Sequence, residues 1–182
     1  ILGLLGDREG EGLNTLGVAG LGLLSFAPQD LFDAGFQLSF AATGAILIFY
    51  RPIRACIPGS EHGLWGKWVC TPLAVSLAAQ AGTAPLVVTT FGTFSPISPL
   101  ANLIVVPLMG AAVGLGLLSV LFSVFLEPVA SLLNGANWLA LKAAIGAADL
   151  LSRPSWAFLE VPKPPWQAIG LYLCLLALAV PE

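Results

Sequence analysis

The 182-residue chain is 57% hydrophobic and 9% charged, with a mean hydropathy of +0.91. A soluble domain carries roughly 25% charged residues, so a water-facing surface around an apolar core is excluded and a polytopic α-helical membrane protein is expected. The net charge of −3 comes without a basic cluster, so composition alone gives no electrostatic footprint for nucleic acid.

Asp7, Arg8, Glu9 and Glu11 mark an aqueous start. A first span is expected over 13–27, where Gly17, Gly20 and Gly22 permit close helix approach and Pro28-Gln29-Asp30 ends it. A second runs over 34–50. Asp33 is its N-cap, Tyr50 and Arg51 form an interfacial anchor, and Pro52 stops it. Phe32, Phe36 and Phe40 recur four apart and share one face, while Gln37, Ala41, Gly44 and Ala45 form a small, partly polar face that packs inward.

Residues 51–67 read as a loop holding Arg51, Arg54, Lys67 and the solvated His62. Its basic residues outnumber those before the first span, which places it in the cytoplasm by the positive-inside rule. The third span, 68–90, carries Ser76, Gln80 and Thr83 as one polar stripe, lining a wet cavity or bonding to neighbouring helices. Pro85 cannot donate to the Ala81 carbonyl, so that acceptor needs a hydroxyl, an amide or water.

After the turn Phe91 to Ser98, Ser98 as N-cap and Pro99 as first residue start a helix. Pro107 strips the Leu103 carbonyl of its donor. The expectation is therefore a half-helix over 99–106 followed by a full span over 107–126, with Gly110 and Gly114 as a packing face. Residues 129–151 are helical but wetter, interrupted by Asn134, Asn137, Lys142 and Asp149, and either cross the bilayer or lie in its interface. A stiff loop from Arg153 to Pro165 leads to a last span over 166–180, with Trp166 and Tyr172 as anchors. The fold expected is all-α, one polytopic transmembrane domain over 1–182 with about five or six spans and a broken or re-entrant helix. The start at Ile1 without methionine and the stop at Glu182 after an apolar run read as a fragment of a longer protein.

No enzyme constellation is present. Cys56, Cys70 and Cys174 lack metal or redox spacing, and Cys70 and Cys174 read as small buried apolar residues. The single histidine has no acidic partner, no phosphate-binding GxxxxGK[ST] loop occurs, and Ser39 has no base at motif spacing. Asp30 and Asp33 are turn and cap residues. Neither catalysis nor a metal or cofactor is expected here.

The stretch Phe32-Asp33-Ala34-Gly35-Phe36-Gln37-Leu38-Ser39-Phe40 resembles the DPGFQLSF signature of the ComEC-type competence proteins, with Ala34 where that family often has proline. A second stretch, Phe91-Gly92-Thr93-Phe94-Ser95-Pro96-Ile97-Ser98-Pro99-Leu100-Ala101-Asn102-Leu103 with Pro107 behind it, resembles the family's other recurrent segment. The resemblance implies a multi-pass protein of the bacterial inner membrane that passes single-stranded DNA inward during natural transformation. Its partners would be that strand, membrane lipid, other competence-machinery proteins and further copies of itself. It also implies an OB-like domain before or within this region and a metallo-β-lactamase-like, nuclease-like domain after it. An interfacial 129–151 would put that domain outside while keeping the basic loop inside.

On this reading the N-terminus at Ser98-Pro99 aims its free N–H groups at a cavity and meets phosphate without lysine or arginine. Gln37, Ser39, Gln80 and Asn102 are candidates for pore-facing or turn-supporting groups, or for interhelical bonds. Phe36 and Phe40 either stack on passing bases or pack against helices and lipid. Two alternatives stand beside the DNA conduit: a transporter of a small anionic solute, and a non-conducting scaffold for a soluble enzyme domain.

Overall fold

The computed structural model describes residues 9–57 and 63–178. Asp7, Arg8 and His62 lie outside the described residues, as does the end of the last expected span. Within them the fold is all-helical apart from two paired two-residue strands, β1 (Thr93–Phe94) and β2 (Leu159–Glu160). Six helices follow one another: α1 (Glu9–Phe26), α2 (Ala34–Cys56), α3 (Gly63–Phe91), α4 (Ser98–Ser123), α5 (Glu127–Ser152) and α6 (Trp166–Leu178). Three are long and apolar enough to cross a membrane: α2, α3 and α4. At ~1.5 Å per residue each exceeds the ~30 Å hydrocarbon layer. Helix α6 is apolar but shorter.

The chain divides into two compact units. One contains α1, α2, α3 and α6; the other, Ser95–Leu159, is the α4–α5 hairpin. Both are built with small residues inside. The buried set is dominated by Ala45, Ala74, Ala78, Ala112, Ala130 and Ala144, whereas Leu117, Val120, Leu132 and Ile145 are among many large side chains left exposed. Water would drive those large groups inward. Lipid tails are as apolar as leucine, so close backbone approach decides packing instead.

In the first unit α2 and α3 lie antiparallel. A Cβ on Gly82 would fall on the Cβ of Ala45 and 2.9 Å from the Ala41 carbonyl oxygen, so the small face of α2 packs inward as its sequence indicates. Helix α1 lies against α2 through Gly12, which faces Leu47, and Gly20, which faces the Phe40 ring. Gly17 and Gly22 face open space, so only Gly20 of the three expected contact glycines is used. In the second unit Ala130, Leu133, Asn137, Ala140, Ala144 and Ala147 recur at alternating three- and four-residue steps on the inner face of α5. The buried Ser119 hydroxyl donates to the Ala130 carbonyl at 3.0 Å, and Gly116 gives room for the Asn137 amide. Gly110 and Gly114 face open space and are not the packing face of this hairpin.

Several expected boundaries are corrected. Helix α2 continues through Pro52 to Cys56, and α3 begins at Gly63, so most of the expected 51–67 loop is helical. Interactions of Arg54 with Tyr50 and Thr71 hold the turns beyond Pro52. Helix α4 runs unbroken from Ser98 to Ser123, which replaces the expected half-helix and separate span. One missing donor at Pro107 bends a helix but does not end it when apolar residues continue on both sides. Ile97, not Ser98, occupies the capping position; its carbonyl accepts from Ala101 N–H at 2.9 Å, and no side chain caps the end. Phe32 sits in a tight turn over Pro28–Phe32 and is 83% exposed, so it does not share the face of Phe36 and Phe40. Cys70 is buried but Cys174 is exposed.

Candidate functional site

The FDAGFQLSF stretch builds the start of α2. Asp33 Oδ1 accepts the Phe36 N–H at 3.1 Å, satisfying one of the free donors of the first turn. A Cβ on Gly35 would come within 2.9 Å of that same oxygen, so glycine there leaves the cap room. Gln37 Nε2 donates to the Leu31 carbonyl at 2.9 Å and ties the helix to the preceding turn, which makes it a turn-supporting residue. Phe36 and Phe40 stack with centroids 4.3 Å apart, and Phe40 covers Gly20. Ser39 is exposed, and its carbonyl accepts from the Thr43 hydroxyl.

The antiparallel register, with Arg54 bonded to Thr71 and Gly82 against Ala41 and Ala45, sets the start of α2 level with the end of α3. At that end Phe91 is exposed and Gly92 closes α3 in the left-handed conformation, φ +68°. The Gly92 N–H donates to Val88 and its carbonyl accepts from Val161 N–H at 3.0 Å. The two recurrent stretches thus converge, through Asp33–Gln37 and Phe91–Gly92, at one end of the α2–α3 pair.

Within the last two turns of α3, Pro85 does leave the Ala81 carbonyl without a backbone donor, and the Tyr172 hydroxyl of α6 donates to it at 2.7 Å. Tyr172 lies in the middle of α6, and its hydroxyl packs that helix onto α3. Beside this bond Ala84, Pro85, Val88, Ala168, Ile169 and Tyr172 line an apolar cavity of ≈ 240 Å³. Gln80 is half-buried and already takes part in an interaction, and the Thr83 hydroxyl bonds within its own helix to Ala79. The stripe therefore does not present three unengaged polar groups to a channel.

At the other end of the pair, α3 widens to a π-type turn over Gly66–Cys70, one residue before Pro72. The wider turn relieves the clash that a proline ring makes with the preceding turn. Thr71 Oγ1 donates to the Gly66 carbonyl at 2.9 Å, and Arg54 reaches both Thr71 and Tyr50.

In the second unit, Pro99 is buried at the start of α4, while Asn102 is half-buried and engaged in an interaction. Ser95, Ser98 and Ala101 line a cavity whose other wall includes Ala148, Asp149 and Ser152. A carboxylate in that wall opposes a phosphate there, although Asp149 is paired with Arg153 at 2.8 Å. Pro107 is exposed on α4. Among the described residues no three His, Cys, Asp or Glu side chains come together to hold a metal ion.

A profile of the competence protein family matches residues 1–181. The chain belongs to the competence protein family. It is 35% identical over 106 residues to ComE operon protein 3 of Bacillus subtilis (strain 168), an alignment covering 53% of this chain and 12% of that relative. No solved structure matches it.

One feature of this competence-family membrane protein lies outside both recurrent stretches. Trp138 and Lys142 are exposed on the outer face of α5, opposite the row that packs on α4, with Lys142 Nζ 4.6 Å from the Trp138 ring centroid. Lys142 lies near the middle of the helix, where an unneutralised ammonium costs ~2.5–3.5 kcal/mol in a bilayer. The sequence signal was available as the four-residue step from Asn134 to Trp138 to Lys142. It stayed hidden because without the α4 contacts the inner and outer faces of α5 cannot be told apart.

Proposed function

We propose that this chain is a multi-pass segment, in the bacterial inner membrane, of the route by which single-stranded DNA enters the cell during natural transformation. The family match along residues 1–181 carries the reading, and three helices of membrane-crossing length support it. We assign a crossing to α5 as well, with α1 and α6 packed beside α2 and α3. Helix α5 has the same length as α4 and packs antiparallel along it from Ala130 to Ser152, so it crosses wherever α4 does. An interfacial α5 would lie across α4 instead.

The segment contributes a path and no bond-making or bond-breaking chemistry. Its working partners are the incoming strand, lipid and other competence proteins, including further copies of itself. The test is transformation of a competent host lacking the parent protein, complemented with the full-length gene. Restored transformants with cytoplasmic donor DNA support the conduit. Donor DNA that enters normally without the protein assigns it to another role, and anionic-solute transport then becomes the better reading.

A further inference from the structure

We propose that the outer face of α5 is a contact site for one nucleotide unit of the passing strand, Trp138 stacking on the base and Lys142 holding the adjacent phosphate; this rests on the conduit reading above.

Three observations carry it. First, the face is placed outward. Ala130, Asn137 and Ala144 turn toward α4, which leaves Trp138, 60% exposed, and the exposed Lys142 on the opposite side. Second, on the crossing assigned above to α5, the depth is wrong for lipid. Lys142 is ~22 Å from the Glu127 end of a helix ~39 Å long, and with that helix centred on a ~30 Å hydrocarbon layer it lies about 12 Å inside the nearer edge. Its stem reaches only roughly 6 Å, too short to carry the ammonium to the headgroups. The ammonium rests on the Trp138 ring, 4.6 Å from its centroid, and ring quadrupole attraction alone is a weak substitute for water or an anion. Third, the surface next to Trp138 is concave. Ser131, Leu132, Gly135, Ala136 and Leu139 line a shallow depression of ≈ 610 Å³, open because Gly135 and Ala136 have little or no side chain.

An aromatic ring, a cation and a hydroxyl-bearing hollow on one face match the parts of a nucleotide: a base that stacks, a phosphate and a sugar. The neighbouring acid does not cancel the site, because Asp149 is held by Arg153. Such a contact is sequence-tolerant, since every base offers a π-face, and a single phosphate contact releases readily enough for the strand to move.

The test uses competent cells carrying the full-length parent protein and donor DNA substituted with 5-iododeoxyuridine, irradiated during uptake. The expected result is a DNA cross-link mapping to Trp138 in the unaltered protein, which requires no variant to fold. Trp138→Leu then lowers cross-linked strand at least about tenfold. Lys142→Gln slows cytoplasmic uptake by about tenfold, while Lys142→Arg stays within about twofold. Cross-links that map only to other helices, with both variants taking up DNA normally, overturn the site and leave the conduit standing. Anionic lipid co-purifying through Lys142 without any α5 cross-link likewise overturns it, in favour of a lipid contact. No uptake dependence on the protein at all removes the conduit reading, and this site with it.

Discussion

The hydroxyl of Tyr172 donates to the carbonyl of Ala81 across 91 positions of sequence, at 2.7 Å, and so fills the gap that Pro85 opens in α3. The proline supplies an acceptor that no backbone N–H in its own helix satisfies, and Tyr172 ties α6 to it. Tyr172→Phe is therefore expected to destabilise the protein by about 0.6–1.7 kcal/mol, the range for hydrogen bonds between membrane helices. In a Pro85→Ala background residue 85 regains its N–H, and the same change is expected to cost little. Thermal unfolding of the four proteins in detergent closes this double-mutant cycle; equal costs in both backgrounds would mean that Tyr172 acts only through its ring.

The need for a partner at Ala81 was legible from Pro85 alone, because a missing donor in an apolar helix is a local fact. The identity of the partner was not, since Tyr172 is remote in sequence and its position near Trp166 also fits an anchor. The inward small face of α2 and the Asp33 cap were readable for the same local reason. Helix continuity at Pro52 and Pro107 is not a local fact of that kind. A proline removes one bond, but the side-chain contacts of Arg54 and the flanking apolar run decide whether the helix goes on. The choice among glycines was also beyond sequence: Gly82 and Gly20 meet neighbours while Gly110 and Gly114 do not, and only tertiary placement separates them.

That separation gives a second prediction. Gly82→Ala forces a methyl onto Ala45 and the Ala41 carbonyl, so α2 and α3 must part, at about 1–3 kcal/mol. Gly110→Ala meets nothing within 4 Å and is expected to be neutral or slightly stabilising in the isolated chain. Paired melting curves read this directly, and equal losses at both sites would show that Gly110 also packs.

At the start of α2, Asp33→Ala removes the acceptor for Phe36 N–H and is expected to lower stability by about 1 kcal/mol, with Asp33→Asn retaining most of it. Gln37→Leu loses the bond to Leu31 and frees the preceding turn. Faster backbone hydrogen exchange confined to residues 31–37 is the expected signature in both alanine and leucine variants.

The three thiols report membrane placement. Cys56 ends α2 and is exposed, Cys70 is buried, and Cys174 is exposed in the middle of α6. A thiol reacts as the thiolate, which lipid disfavours. In native membranes a water-soluble maleimide is expected to label Cys56 but neither Cys70 nor Cys174, whereas all three label after denaturation. Rapid native labelling of Cys174 would take α6 out of the bilayer.

The measurement that bears most directly on the central claim follows donor DNA with its two strands separately labelled. It compares a competent host lacking the parent protein with the same host complemented by the full-length wild type, membrane insertion being verified. The account predicts that one strand's label becomes nuclease-protected in the cytoplasm only when the protein is present, while surface-bound DNA is unchanged. Equal cytoplasmic label with and without the protein would contradict it.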